Sequence, residues 1–186
     1  MDALTALHTR NSAPSLVEPA PGPEARDAIF TAALRAPDHG RLRPWHFLVV
    51  EGQARKRLGE RLAAVAAEAN PGISAQESLK LRNAPMRAPL VVIVTARLQE
   101  SPKVPEIEQL LSAGCAAHAV LTASHALGFG AIWRTGPVTY LPGLNSALGL
   151  GENEKVVAFL YLGSVAGDPK PIPQHAHGDF VTTWEG

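Results

Sequence analysis

The sequence has little that marks a secreted, nucleic-acid-binding or membrane protein. Its single cysteine excludes an intrachain disulfide and favours a reducing compartment. Lysine plus arginine and aspartate plus glutamate both number 17, so the basic face that nucleic-acid binding needs is missing. Met1–Arg10 lacks the apolar core of a signal peptide, and Asp2 stands where positive charge belongs. These absences predict a cytoplasmic protein.

The chain also lacks a run that is apolar enough to span a membrane. The best candidate, Leu110–Leu127, is rich in alanine and contains His118, Ser124 and His125. Because alanine and these polar groups gain little free energy in lipid, we expect a soluble helix there. From Ala113 onward the helix is small or apolar on every side, which places it at the domain centre or at a subunit interface.

Motifs of several catalytic classes are missing as well. The sequence has no Gly-x-Ser-x-Gly elbow, no His-Glu-x-x-His and no Walker A motif. Gly128-Phe129-Gly130 lacks a third glycine and follows a helix, whereas a Rossmann phosphate turn follows a strand. Cys115 lies within the apolar helix, where a thiol usually serves as inert packing. His175 and His177 have no acid or cysteine at ligand spacing, so we predict no metal site.

The hydrophobic pattern along the chain alternates between helical and strand periods. It predicts one α+β domain over residues 1–186, in which helices cover a small sheet. The predicted helices are Asp2–Thr9, Pro23–Ala36, Gln53–Ala69, Ser74–Asn83, Val104–Leu127 and Thr139–Leu148. The predicted strands are Phe47–Val50, Leu90–Thr95, Gly130–Thr135 and Val156–Leu162. The C-terminal tail, residues 164–186, contains Pro169–Pro173, whose prolines favour an extended chain.

Three separated groups of polar residues stand in predicted turns. We call Arg10-Asn11-Ser12 the N-terminal cluster, Arg35 with His39 the loop cluster, and Trp133-Arg134-Thr135 the strand-end cluster. Guanidinium groups bind phosphate in a bidentate manner, and hydroxyl groups add further hydrogen bonds. The basic loop that ends at Trp45 suits a planar, anionic ligand. Each cluster by itself is weak evidence and is better explained as an ordinary surface turn.

With these clusters in view, the chain resembles the nitroreductase-like flavoproteins, most of all their compact bacterial members. The residues that carry the resemblance are Arg35-Ala36-Pro37-Asp38-His39, Pro44-Trp45-His46-Phe47, Asn83-Ala84-Pro85, Arg87-Ala88-Pro89, Lys103-Val104-Pro105, Ser112-Ala113-Gly114-Cys115-Ala116 and Gly128-Phe129-Gly130. The similarity extends over nearly the whole chain. It implies a mostly antiparallel sheet flanked by helices, with the long apolar helix at the interface of a homodimer.

The resemblance also implies one FMN per subunit, bound at that interface. By motif, Arg10-Asn11-Ser12 contacts the phosphate and ribityl chain, and Trp133-Arg134-Thr135 completes the site. Arg35 and His39 reach the cofactor from the partner subunit. The chain departs from the family at Asn11, where a second arginine is common, so one cation is lost.

The implied activity is an FMN-dependent transfer of electrons from NAD(P)H to an electron-poor small molecule, such as a nitroaromatic or a quinone. Flavin chemistry needs no side-chain nucleophile, which agrees with the missing hydrolytic motifs. Two other classes stay open: a flavin-binding carrier or sensor without turnover, and a scaffold that binds no cofactor. Within enzymes, a flavin-dependent dehalogenase or dehydrogenase is a further alternative, because one fold hosts several chemistries.

Overall fold

The computed structural model describes residues 1–168 and 170–186 of the chain. The α-helices are Ala3–Thr9 (α1), Pro23–Ala33 (α2), Gln53–Ala69 (α3), Ala75–Asn83 (α4), Glu106–Ala126 (α5) and Leu144–Leu148 (α6). The strands are Leu16–Val17 (β1), Trp45–Glu51 (β2), Leu90–Arg97 (β3), Gly130–Arg134 (β4) and Glu154–Val165 (β5). Short 3₁₀ helices occupy His39–Arg41, Ala84–Arg87, Pro137–Tyr140 and His177–Asp179.

Strand β5 is the centre of the five-stranded sheet, and every strand pair in the described sheet is antiparallel. Along one side β5 pairs with β3, which in turn pairs with β2. Along its other side β5 pairs first with β4 and then, near its end, with β1. The register places Ile132 of β4 opposite Tyr161 of β5. The predicted α+β fold with a helix-flanked antiparallel sheet is confirmed.

Helices cover both faces of the sheet. Ile29 of α2 and Val120 of α5 pack with Val92 on one face, whereas Leu62 of α3 packs with Ile93 on the other. Strand β3 is therefore buried on both sides, which explains why it reads as one unbroken apolar run and not as an alternating pattern.

Helix α5 has two different faces, although its sequence is small or apolar all round. Ala113, Ala117 and Val120 are fully buried against the sheet and α2. On the opposite side Leu111 is 61% exposed. Cys115 is exposed too, so its predicted role as buried packing is wrong. The helix period turns this residue away from the face that α5 buries.

The predicted helix over residues 139–148 is also wrong, because the chain is broken there. A 3₁₀ helix ends at Tyr140, and α6 begins only at Leu144. Pro142 disfavours a helical conformation for the preceding residue, and Gly143 has a φ of 84°, in the left-handed region that glycine tolerates. Helix α2 ends at Ala33, three residues before the predicted end at Ala36.

Within the part of the chain that the structure describes, no helix combines the length and the apolarity needed to cross a bilayer. The extended segment predicted at Pro169–Pro173 is described from Lys170 onward as chain without helix or strand. Pro169 itself lies outside the described residues.

Candidate functional site

Strand β4 and the loop that follows it form the framework of the candidate site. Helix α5 ends at Ala126, and Gly128 follows with a φ of 85°, in the left-handed region that glycine tolerates. Gly130 then starts β4 in a position without room for a side chain: an added Cβ would lie 2.6 Å from Val165 and 2.7 Å from Leu16. These two glycines fix the direction in which β4 carries Trp133 and Arg134.

The N-terminal cluster lies beside the start of β4. Ser12 forms a parallel β-bridge with Ala131, and the backbone N–H of Ala13 donates to the Ala131 carbonyl at 3.1 Å. Helix α1 is held against α5 by a hydrogen bond of 2.8 Å between Thr9 Oγ1 and His125 Nε2. Arg10 follows directly as the C-cap of α1. The structure thus places the N-terminal cluster at the start of β4, whereas the strand-end cluster stands at the other end of this strand.

A cleft of about 450 Å³, which we call the arginine cleft, opens where β4 ends. All three residues of the strand-end cluster line it, together with Leu62, Leu81, Arg87, Gly136, Val138, Thr139 and Tyr161. Trp133 is 36% exposed at its edge. Among residues 1–168 and 170–186, the buried Nε of Arg134 has no hydrogen-bond partner. Arg134, which lines the cleft, therefore carries a donor for which the described chain supplies no acceptor.

The phenol group of Tyr161 lines the arginine cleft near the cations Arg134 and Arg87. Tyr161 is buried in β5, and the guanidinium carbon of Arg134 lies 5.8 Å from its ring centroid. Burial raises the pKa of Tyr161 above its usual value, while the charges of Arg134 and Arg87 partly oppose the rise. The phenol is thus neutral at neutral pH, and its O–H remains able to donate a hydrogen bond.

A groove of about 470 Å³ lies on the other side of Trp133, between the end of α2 and the exposed face of α5. We call it the helix groove. Arg35 lines it with Leu111, Cys115, His118 and Trp133. Because Trp133 borders both the helix groove and the arginine cleft, Arg35 and Arg134 flank the same indole within one subunit.

His39 is placed differently from Arg35, although both belong to the loop cluster. Its Nδ1 lies 2.5 Å from the Glu108 carboxylate, in the first turn of α5. The helix groove is lined by residues farther along α5. Within one subunit the structure therefore brings Arg35, but not His39, to Trp133.

Asn11 uses its side chain to hold the C-terminal tail. Its amide nitrogen donates to the carbonyls of Lys170 and Pro171 at 3.1 and 3.2 Å, and its Oδ1 accepts from the Ser12 N–H at 2.8 Å. The side chain is engaged within the chain, and its predicted contact with a phosphate or ribityl group stays a prediction.

Sequence reasoning did not name Arg87 or Tyr161 as site residues. Arg87 ends a 3₁₀ helix that begins at Ala84, and it reaches the cleft from the far side of β5. A signal for it existed, because Arg87-Ala88-Pro89 is one of the segments that carry the family resemblance. No sequence signal marked Tyr161 as a site residue, since it stands within an ordinary buried strand pattern.

Comparison with known proteins agrees with this architecture. A sequence profile described as "Nitroreductase family" matches residues 17–164. The Escherichia coli K12 protein named "Putative NAD(P)H nitroreductase YdjA" is 48% identical over 164 residues, which is 88% of each chain.

Two solved structures share the fold. The nitroreductase-like family protein of Bacillus cereus superposes with a TM-score of 0.82 at 18% identity, covering 98% of this chain and 96% of that one. A Bacteroides fragilis nitroreductase with bound FMN has a TM-score of 0.74 at 22% identity, covering 98% of both chains. The profile match and the E. coli relative show that this chain belongs to the nitroreductase family.

Proposed function

We propose that the chain is a cytoplasmic, FMN-dependent oxidoreductase, with residues 1–186 acting as one FMN-binding domain. It passes electrons from NAD(P)H through the flavin to an electron-poor acceptor such as a nitroaromatic or a quinone. Membership of the nitroreductase family supports this proposal, as does the E. coli relative whose name includes NAD(P)H nitroreductase. The Bacteroides fragilis structure, which contains FMN, supports the choice of cofactor.

The observation that carries the proposal is the buried, unpartnered Nε atom of Arg134. This atom has no hydrogen-bond partner in the described parts of the chain, and an unsatisfied buried donor costs about 1–3 kcal/mol. A phosphate oxygen relieves this cost and gains a charge-assisted hydrogen bond. Arg87 adds a second cation to the same cleft. The residues present therefore fit a flat ligand that carries a phosphate group.

Each cluster has a role in this proposal. Arg10-Asn11-Ser12 and the strand-end cluster hold the phosphate and the ribityl chain. The exposed indole face of Trp133 provides an apolar surface for a planar ring. When bound, FMN supplies hydride acceptance and two-electron transfer to the acceptor. The positive charge of Arg35, which the other subunit supplies in the dimer proposed next, favours negative charge that develops on the ring.

We further propose a homodimer in which Arg35 and His39 of one subunit reach the cofactor of the other. Large apolar side chains are exposed along the outer side of α5 and the end of α2, namely Leu34, Ile107 and Leu111. In the tail, Phe180, Val181 and Trp184 are exposed. Exposed large apolar side chains of this kind are typical of a protein interface when they share one surface. Sedimentation equilibrium should therefore give twice the chain mass.

The deciding experiment is an anaerobic absorbance trace. Purified protein should be yellow and should bleach on addition of NADH or NADPH, and a nitroaromatic or a quinone should then restore the oxidised spectrum. Yellow protein that neither nicotinamide bleaches identifies the alternative function, a flavin carrier or sensor without turnover. Colourless protein that takes up no FMN on titration refutes both readings.

A further inference from the structure

The loop over residues 38–44, between α2 and β2, is constrained by a carboxylate within it. Asp38 accepts hydrogen bonds from the backbone N–H groups of Leu42 and Arg43, at 3.2 and 2.8 Å. Arg41 and Arg43 have φ values of 56° and 50°, in the left-handed region that side chains other than glycine rarely adopt. Such a backbone persists only where the surrounding structure fixes it, so the 38–44 loop has a defined shape.

The start of α5 fixes where the 38–44 loop lies. Gln109 of α5 is 1% exposed, and its side-chain amide binds the backbone of Gln99. Its Oε1 accepts from the Gln99 N–H at 2.9 Å, and its Nε2 donates to the Gln99 carbonyl at 2.9 Å. The side chain of Gln99 in turn donates to the Leu42 carbonyl at 2.7 Å. A chain of hydrogen bonds therefore anchors the loop to α5.

Glu108, the neighbour of Gln109, contacts the 38–44 loop at a second point. Its Oε2 lies 2.5 Å from Nδ1 of His39. Because an ionised carboxylate can only accept a hydrogen bond, Nδ1 carries the proton and donates to Glu108. In the neutral imidazole the other ring nitrogen, Nε2, then has its lone pair available. The contact therefore selects one of the two tautomers of His39 and sets the direction of its ring.

The contact between Glu108 and His39 contributes little to the folding of one subunit. The two side chains are 43% and 57% exposed, and solvent-exposed pairs of this kind stabilise a protein only slightly. Its consequence lies in the dimer proposed above, in which His39 reaches the cofactor of the other subunit. A side chain that is already oriented loses less conformational entropy when it contacts a ligand.

We propose that Glu108 is a positioning residue for the cofactor site of the other subunit. It holds His39 by Nδ1, so that Nε2 is the atom that meets the cofactor. The inference rests on the proposed function, and it adds to that function a residue of α5 that does not itself touch the cofactor. Gln109 supports the same arrangement from the protein interior, because it anchors the loop through Gln99.

Nitrogen NMR of the full chain without added FMN tests the tautomer independently of activity. In isotope-labelled protein at alkaline pH, the His39 ring should show a protonated Nδ1 and an unprotonated Nε2. The signals of this ring are identified by their loss in His39→Ala. Glu108→Ala should move the proton to Nε2, because free histidine prefers that tautomer. A wild-type His39 ring with its proton on Nε2 overturns the inference.

Titration with FMN, followed by quenching of flavin fluorescence, tests the effect on the cofactor. Glu108→Ala should raise the Kd for FMN about 2- to 12-fold, because the freed histidine must be immobilised on binding. Glu108→Gln should restore most of the affinity, since its amide oxygen still accepts from Nδ1. Glu106→Ala is the matched control and should leave the Kd unchanged. Glu106 stands in the same turn of α5, but its carboxylate pairs with Lys155 at 2.9 Å.

A double-mutant cycle separates positioning from a general effect of charge. If Glu108 acts through His39, Glu108→Ala should not change the Kd any further in the His39→Ala protein. Three results overturn the inference and leave FMN binding itself standing: equal losses in both backgrounds, a Glu108→Gln protein as weak as Glu108→Ala, or a wild-type Kd in His39→Ala. Wild-type protein that takes up no FMN overturns the proposed function together with the inference.

Discussion

Replacing Arg134 with alanine removes the guanidinium that we place against the FMN phosphate. A hydrogen bond to a charged group contributes about 1.5–3 kcal/mol. Since about 1.4 kcal/mol corresponds to a factor of ten, the Kd for FMN should increase about 10- to 160-fold. The loss should be this large because Arg134 Nε is buried, so water cannot easily replace the lost donor.

The same change should have a different effect on the protein without FMN. There, within the residues that the structure describes, Arg134 Nε is buried without a partner, at a cost of about 1–3 kcal/mol. The mutation removes this cost, but it also removes a cation–π contact with Tyr161, worth about 0.5–1 kcal/mol. The free energy of unfolding of the apoprotein should therefore stay level or rise by up to about 2.5 kcal/mol.

Two measurements check these two expectations. Quenching of FMN fluorescence on titration gives the Kd for FMN, and urea unfolding of the apoprotein gives its free energy of unfolding. Arg57→Ala is the control, because Arg57 is an exposed arginine that lines a separate cavity between α3 and α6. It should leave the Kd for FMN unchanged. The reasoning is refuted if Arg134→Ala changes this Kd less than threefold, or if Arg57→Ala weakens binding equally.

Three further predictions concern other parts of the site. Arg10→Ala should also raise the Kd for FMN about 10- to 160-fold, and equal affinity in the titration would remove Arg10 from the phosphate site. Burial raises the pKa of Tyr161, so its stabilising contribution is complete below about pH 10 and is lost as pH rises through the folded-state pKa. Tyr161→Phe should therefore unfold at a higher urea concentration than wild type above pH 10 only, and parallel curves at all pH values would contradict this. Gly130→Ala should lower Tm, because its Cβ would lie 2.6 Å from Val165 and overpacking costs about 1–3 kcal/mol. Gly178→Ala, whose Cβ meets no described atom within 4 Å, should melt like wild type.

Several elements could be predicted because their cause is local. The uncharged, β-branched run from Leu90 to Thr95 predicts a strand, and β3 includes all of it. The small residues of α5 predict a long helix in close contact with its neighbours, and Ala117 is fully buried. The helix predicted over residues 139–148 is wrong because Pro142 and Gly143, both in its middle, interrupt the helical conformation.

The assembly of the candidate site was decided by tertiary structure. The local hydrophobic pattern indicates which side of a helix or strand is buried. It does not indicate which distant strand that helix or strand contacts. The antiparallel register of β4 on β5 places Ile132 opposite Tyr161, and the bridge from Ala131 to Ser12 brings the N-terminal cluster to the start of β4. The sequence by itself determined the family, the α+β class and the residue types that can bind a phosphate. Only long-range backbone pairing decided that Arg134 and Arg87 share one cleft and that Asn11 turns to the tail.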